Sequence, residues 1–353
     1  MDSITMIREL ATAFGPPGFE DDVIKLARRY VHQGAEVIED SLRNLLICQK
    51  DAEKPELPTV LIDAHSDEVG LMVQAINTNG TLAFIPLGDW IASSLPSQKV
   101  SIRNLDGELI SGVVATRPPH FGLDNLPLTI PQLVIDIGAT SQSEVENDFK
   151  IMPGCPIAPF TDFSHDPIND ILMSKAFDCR LGCAAVLEVM RELHDLELSV
   201  NIIGSLSSQE EIGMRGIRTV ANRVKPDIAI CFEGSPADDT LEKPHLAQTR
   251  LKKGPMLRHI DEGMVTHPRF LRYALDLAKE LHIPVQEAVR TGGKTNGSSL
   301  HLANNGIPTI VIGLPVRYVH SHNSIASFAD YKRGVQLATE LVKNLSADII
   351  NRF

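Results

Sequence analysis

Between about residues 70 and 163 the chain abandons the alternation of helix and strand that runs on either side, and that interruption limits the folds open to it. The runs LMVQAI, TLAFIPL, KVSIRN, LISGVVAT and QLVIDIG are short and strand-like, separated by Gly, Asn and Pro turns, with little helical periodicity. Short strands at near-regular spacing point to a small antiparallel barrel or sandwich. Upstream, residues 4–14 read as helix, Gly-Pro-Pro-Gly at 15–18 as a turn, and residues 20–33 as a second helix with apolar positions at Val23, Ile24, Leu26 and Ala27. VIEDSLRNLLICQK then reads as strand, turn and strand. Val60-Leu61-Ile62 is apolar at every position, as a strand buried on both faces should be. Downstream of 164 the alternation returns: helix 181–193, strand VNIIGSLSS, helix 217–224, strand DIAICFEG, helix 268–281, strand PTIVIGLPV and helix 329–345. The expected fold class is α/β. A mixed-sheet α/β/α domain made of residues 1–69 and 164–353 is interrupted by an all-β, barrel-like insert at 70–163.

Charge narrows the range of partners. With 33 Lys and Arg against 45 Asp and Glu, the net charge of −12 supplies no basic stripe for a phosphate backbone, so no nucleic acid is expected. No uninterrupted apolar run is long enough to span a membrane, and the first twenty residues lack the pattern of a secretory signal, so the expected location is the cytoplasm. Cys48, Cys155, Cys179, Cys183 and Cys231 are scattered without zinc-knuckle spacing and read as buried thiols.

The chemistry lies where apolar runs end. Val60-Leu61-Ile62 runs into Asp63-Ala64-His65-Ser66-Asp67-Glu68, and open α/β sheets place their sites at the carboxyl ends of such strands. There His65 can reach a metal while Asp67 fixes its tautomer. Asp178 opens a helix and is, in isolation, equally an N-cap. Glu210 and Glu211 follow Ile202-Ile203 and would repel each other if buried without a cation. Glu233 in IAICFEG and His320 in PTIVIGLPVRYVHSH repeat the layout, with His322 nearby. Convergence of His, Asp and Glu from separate strand ends is expected of a metal or catalytic centre. Oxygen and imidazole donors without thiolate favour zinc, cobalt or manganese. No G-x-S-x-G nucleophile elbow and no phosphate-binding loop spacing is present.

These segments together resemble the tetrahedral (TET) and glutamyl aminopeptidase family of dinuclear metallo-aminopeptidases, some members of which carry the label cellulase M. The resemblance rests on DAHSDEVGLMV (63–73), SKAFDCRLG (174–182), SSQEEIGMRG (207–216), KKGPMLR (252–258) and GIPTIVIGLPVRYVHSH (306–322), in the family's order and approximate spacing. It implies a metallopeptidase that removes N-terminal residues from peptides through a water bridging two divalent ions. His65, Asp178 and Glu233 would ligate one ion, and Glu211, His320 and the shared Asp178 the other. Glu210 would be the general base and Asp67 the residue orienting His65. A cis Asp178–Cys179 peptide is implied as well. So is self-association through the 70–163 insert into dimers and then a dodecamer enclosing the active sites.

The chain departs from the family pattern at three places. Glu233 stands where Asp is usual, Cys179 where Asn or Asp is commoner, and Lys294-Thr295-Asn296-Gly297 where the run is usually G-T-D-A, which touches the substrate pocket. A related dinuclear hydrolase acting as deacylase or carboxypeptidase is the alternative activity, and a non-catalytic scaffold the third reading. Two-carboxylate glycoside hydrolysis has no need of paired histidines. Lys294, Arg317 or Arg290 could favour acidic side chains, but the sequence leaves acidic, apolar and basic N-terminal residues equally open.

Overall fold

The computed structural model describes residues 2–49, 54–116, 120 and 128–353. The chain opens with α1 (Ser3–Thr12) and α2 (Asp21–Arg28), followed by β1 (Ala35–Glu39), β2 (Leu45–Gln49) and β3 (Thr59–His65). It then winds through β4 (Gly70–Ile76), β5 (Leu82–Leu87), β6 (Lys99–Arg103), β7 (Leu109–Val114), β8 (Ile135–Asp136), α3 (Gln142–Asn147) and β9 (Pro156–Pro159). The return passes through β10 (Ser164–Asp166), β11 (Ile171–Ser174), α4 (Phe177–Leu193), β12 (Asn201–Ser207), α5 (Arg215–Val224) and β13 (Ile228–Pro236). Last come β14 (Met256–Ile260), α6 (Pro268–Glu280), β15 (Gln286–Val289), α7 (Asn296–Leu300), β16 (Thr309–Arg317), β17 (Ser324–Ala326), α8 (Phe328–Asn344) and α9 (Ala347–Ile350).

One mixed sheet runs β1-β2-β12-β3-β13-β16-β17-β11-β10, with β14 against β16 and β15 against β14. Its four central strands, β12, β3, β13 and β16, are parallel. Strand side chains alternate between faces, so one strand feeds two cores. Val60, Ile62, Ile230, Phe232, Ile310 and Ile312 pack on the side of α4, whereas Leu61, Cys231 and Val311 join Ile217 and Val220 of α5 on the other. This double burial explains the near-continuous apolar runs. α4 packs against β3, β12 and β13 and against α1 and α8, and is buried along nearly its whole length.

The chain between β3 and β10 closes an antiparallel barrel, β4-β5-β8-β7-β6-β9, around its own core of Leu71, Phe84, Val100, Ile102, Ile135 and Ile157. Closure leaves no open edge, the physical advantage of a barrel over an exposed sheet. α2 is shorter than the 20–33 helix expected from its periodicity, since it stops at Arg28 and Tyr30 turns its hydroxyl onto Glu9 at 2.6 Å. Among the described residues no helix is long and apolar enough to cross a membrane.

A buried charge cluster joins the stretch of chain before the barrel to the stretch after it. Lys175 Nζ lies 2.5 and 2.7 Å from the carboxylate oxygens of Glu68, and Arg180 Nη2 is 3.6 Å from the same group. Arg180 also donates to the carbonyls of Leu10 and Gly15, tying the N-terminal segment down. Removing Lys175 would strand most of a buried carboxylate's charge, which typically costs about 3–5 kcal/mol. Lys175→Ala should lower stability by that amount in urea unfolding, and adding Glu68→Gln should recover a large part. An unchanged unfolding midpoint in the single variant would contradict this account.

Candidate metal centre

Parallel register brings the strand ends level. His65 ends β3 and pairs in register with Ser207 of β12, and Asp63 pairs with Cys231 of β13, which sets Glu233 two residues further on beside His65. Asp178 lies at the start of α4 with non-helical φ −87° and ψ 106°, followed by a cis peptide bond to Cys179. The side chain does not cap the helix. Instead Asp178 Oδ1 is 3.1 Å from His65 Nε2 and Oδ2 is 3.4 Å from His320 Nε2, so one carboxylate faces two imidazoles. Glu233 Oε1 lies 4.0 Å from His65 Nε2, and Glu211 Oε2 lies 3.3 Å from His320 Nε2. All five residues are thereby brought together in two groups that share Asp178.

Spacing and donor chemistry fit divalent ions. Ligands held about 2.0–2.2 Å from one ion at tetrahedral angles sit about 3.3–3.6 Å apart, close to the separations here. Glu211 Oε1 and Glu233 Oε2 are buried without a hydrogen-bond partner. Gly234 permits the close packing, since a Cβ there would come 2.5 Å from Asp178 Cα. Cys179 Sγ also reaches the His65 group. Burial pushes its thiol well above the usual value, and the sulfur donates to the Phe232 carbonyl at 3.4 Å.

The electrostatics carry the mark of crowded acids. Burial pushes Glu210 and Glu233 well above the usual carboxylate range, helped by Glu211 and Asp67 at the first and by Asp178 at the second. Burial opposes charge on Asp178, yet His320 and His65 hold its carboxyl below the ordinary value. His320 is disfavoured as a cation by burial, but Glu211 and Asp178 raise it to about 11. Cations between these acids relieve a repulsion that only shared protons otherwise answer.

The turn beyond β12 hangs on side chains from elsewhere. Asp67 accepts the N–H of Glu210 at 2.9 Å and of Glu211 at 3.1 Å, while its Oδ1 lies 3.4 Å from His65 Nδ1. Asn44 Oδ1 accepts the N–H of Ser208 at 2.8 Å, and Glu20 Oε1 that of Gln209 at 3.1 Å. Gly216 makes room for Asn44, whose Oδ1 would be 2.2 Å from any Cβ there. No hydrogen bond among the described residues ties down the Glu210 carboxylate. Asn44 and Glu20 escape sequence reasoning because each acts across more than 160 residues. The only local sign is an acid two residues past the Gly-Pro-Pro-Gly turn.

The three cations considered for acidic substrates are engaged. Arg317 is bidentate to Asp239 at 2.8 and 2.7 Å, Lys294 pairs with Glu262 at 2.9 Å, and Arg290 lies 3.7 Å from Asp238. Asn296 does not face the two groups of ligands. Its Nδ2 donates to Asp63 Oδ2 at 2.8 Å and Ser207 Oγ at 2.7 Å in a buried pocket beneath them. Burial raises Asp63 to about 6, with Ser205, Asn296 and Ser207 pulling it back.

The profile of the M42 glutamyl aminopeptidase family matches residues 44–337. A glutamyl aminopeptidase of Lactococcus lactis is 30% identical over 98% of this chain and 97% of its own. A lysyl aminopeptidase of Pyrococcus furiosus is 30% identical over 83% of each. Among solved structures, a TET aminopeptidase from a marine-sediment Thaumarchaeota archaeon superposes with a TM-score of 0.93 at 34% identity, over 99% of both chains. The TET1 peptidase of Pyrococcus horikoshii, described as assembling into a tetrahedron or a large octahedral shell, gives 0.87 at 26% identity over 98% of this chain and 100% of its own.

Asn296→Asp would set a second carboxylate against Asp63 in a buried pocket. The loss expected is on the order of 3 kcal/mol, because two buried acids cannot both ionise. Thermal or urea unfolding checks it, and Asp63→Asn in the same background should restore most of the stability. A single variant as stable as the parent would refute the pairing.

Proposed function

This chain belongs to the M42 glutamyl aminopeptidase family of metal-dependent peptidases, and from that premise we propose that it removes N-terminal residues from peptides at a centre of two divalent ions. The observation that carries the reading is Asp178, whose two oxygens face one imidazole each, at 3.1 and 3.4 Å. His65, Asp178 and Glu233 would hold one ion, and Asp178, Glu211 and His320 the other. The donor set suits zinc, cobalt or manganese. Ions bound there would act as Lewis acids on the scissile carbonyl and lower the pKa of water.

The remaining chemistry falls to the chain's own residues. Glu210 takes a proton on its carboxylate from the attacking water and returns it to the departing amine. Its carboxyl is buried, directly beside the ligand Glu211 in the chain, where it can hold a proton between those transfers. Asp67 orients His65 and fixes the backbone of Glu210 and Glu211, so base and ligands keep one geometry. Residues 1–69 and 164–353 form the catalytic part in this reading, and 70–163 the part that pairs with a second copy. The barrel supports that role through Leu105, Leu109 and Val113, large apolar residues left exposed. Assembly into a dodecameric shell has its precedent in a TET1 structure described as a dodecamer, and would confine a cytoplasmic peptidase to substrates small enough to enter.

Protein purified without chelator should carry close to two divalent ions per chain by metal analysis. Chelation should abolish turnover, and zinc, cobalt or manganese should restore it. A metal-free yet fully active preparation would end the proposal.

Glu210→Gln should keep the ions and lose about 10²-fold or more in kcat, the scale of a positioned general base. Near-normal turnover would remove that assignment. Aminoacyl-p-nitroanilides assayed beside N-acylated amino acids separate aminopeptidase from deacylase activity, and a panel of N-terminal residues sets the preference.

Assembly is read by light scattering. A mass near 38.6 kDa at micromolar concentration would rule out stable pairing, whereas a stable dimer would leave only the shell in error.

A further inference from the structure

We propose that Glu20 is a positioning residue for the catalytic turn, holding Gln209 and through it the backbone that aims Glu210; this rests on the reading of Glu210 as the base. Four consecutive amides, of Ser208, Gln209, Glu210 and Glu211, donate to side-chain oxygens from three distant segments. Asn44 and Asp67 take three of them. Glu20 takes the fourth, and it alone comes from the N-terminal segment.

Glu20 occupies the N-cap position of α2, where an acid normally accepts the helix's own free amides. It makes no such cap. Its Oε1 accepts instead from Gly18 at 2.8 Å and from Gln209 at 3.1 Å, and the residue is fully buried. The favourable local contact has been given up for one that reaches 189 residues along the chain. The partner needs support, because Gln209 holds a left-handed φ of 54° without being glycine. The segment bearing Glu20 is itself fixed: Phe19 N–H donates to the Pro16 carbonyl at 2.9 Å, and the Gly15 carbonyl accepts from Glu68 N–H at 3.1 Å and Arg180 Nη2 at 3.2 Å. The Gly-Pro-Pro-Gly turn thus acts as a bracket for the base, through Glu20. Glu20 Oε2 is buried without a partner, a costly arrangement that packing alone does not require.

The test compares Glu20→Met, which fills the space without an acceptor, with Glu20→Gln, whose amide oxygen can still receive both N–H groups. Both are assayed as full-length, metal-loaded enzyme alongside Glu210→Gln. Glu20→Met should lower kcat about ten- to a hundredfold, the scale of a small misplacement of a catalytic group. KM should stay within about twofold and metal content should be unchanged, while Glu20→Gln keeps most of the turnover. Should the methionine variant not fold, Glu20→Asp, which withdraws the acceptor by one methylene, is expected to show the same loss and decides on the same readout. Wild-type kcat in the folded acceptor-deleted or shortened variant, or an equal loss in Glu20→Gln, overturns the role of Glu20. An active Glu210→Gln overturns the base assignment, and this proposal with it. An inactive one beside a fully active Glu20→Met overturns Glu20 alone.

Discussion

Asp67 accepts two successive amides of the turn beyond β12 and faces Nδ1 of His65, so one buried carboxylate joins the ends of two neighbouring strands. The arrangement depends on parallel register. Because β3 pairs with β12 on one side and β13 on the other, their carboxyl ends finish side by side. Polar side chains that leave those ends have nowhere to go but toward one another. Buried groups of this kind persist only when each is answered by a partner. Asp67 is answered by backbone amides, which leaves the imidazole and the remaining carboxylates turned toward a common space.

The same reasoning separates Asp178 from the other acids. It stands between two imidazoles and is the one member of the cluster whose carboxyl is held below its ordinary value. Glu210, Glu211 and Glu233 are all raised, with burial the leading cause in each. A group that stays ionised in such surroundings is the natural one to be shared between cations. Glu210 is set apart from Glu211 and Glu233 by geometry, since its carboxylate belongs to neither of the two groups that share Asp178. The chain sets Asp178 and Glu210 by backbone placement: the first at the non-helical entrance to α4, the second on a turn held by its amides.

Much of this was legible in the sequence because it is written locally. Apolar runs ending in His65, Glu211, Glu233 and His320 betray doubly buried strands and the polar rim at their ends. The switch to short strands after residue 70 betrays the barrel. What escaped has no local pattern. β14 and β15 are short, lie off the main strand order and lack clear alternation. Asn44 lies in the strand-turn-strand segment VIEDSLRNLLICQK and Glu20 at the start of the second helix, and only the fold brings them to residues 208 and 209. Asn296 looked like a change in the substrate pocket. It is instead the neutral donor that a buried Asp63 needs, a meaning visible only once Asp63 is known to face it.

The barrel and the centre are not independent parts. The loop after β5 carries Gly88 with φ 87°, and a Cβ there would lie 3.2 Å from Glu211 Oε2. Backbone from the barrel therefore closes directly over a carboxylate at the end of the mixed sheet. Trp90, two residues on, donates its indole N–H to the Gly70 carbonyl at 3.0 Å, at the point where the chain enters the barrel, and its ring sits 5.7 Å from that of His322. His322 in turn lies two residues beyond His320, and its own carbonyl accepts from Thr161 near the point where the chain leaves the barrel. The two crossings between barrel and sheet are thus pinned to the strand ends that bear the centre. Packed groups rather than a loose linker therefore join the barrel to the wall beside Glu211.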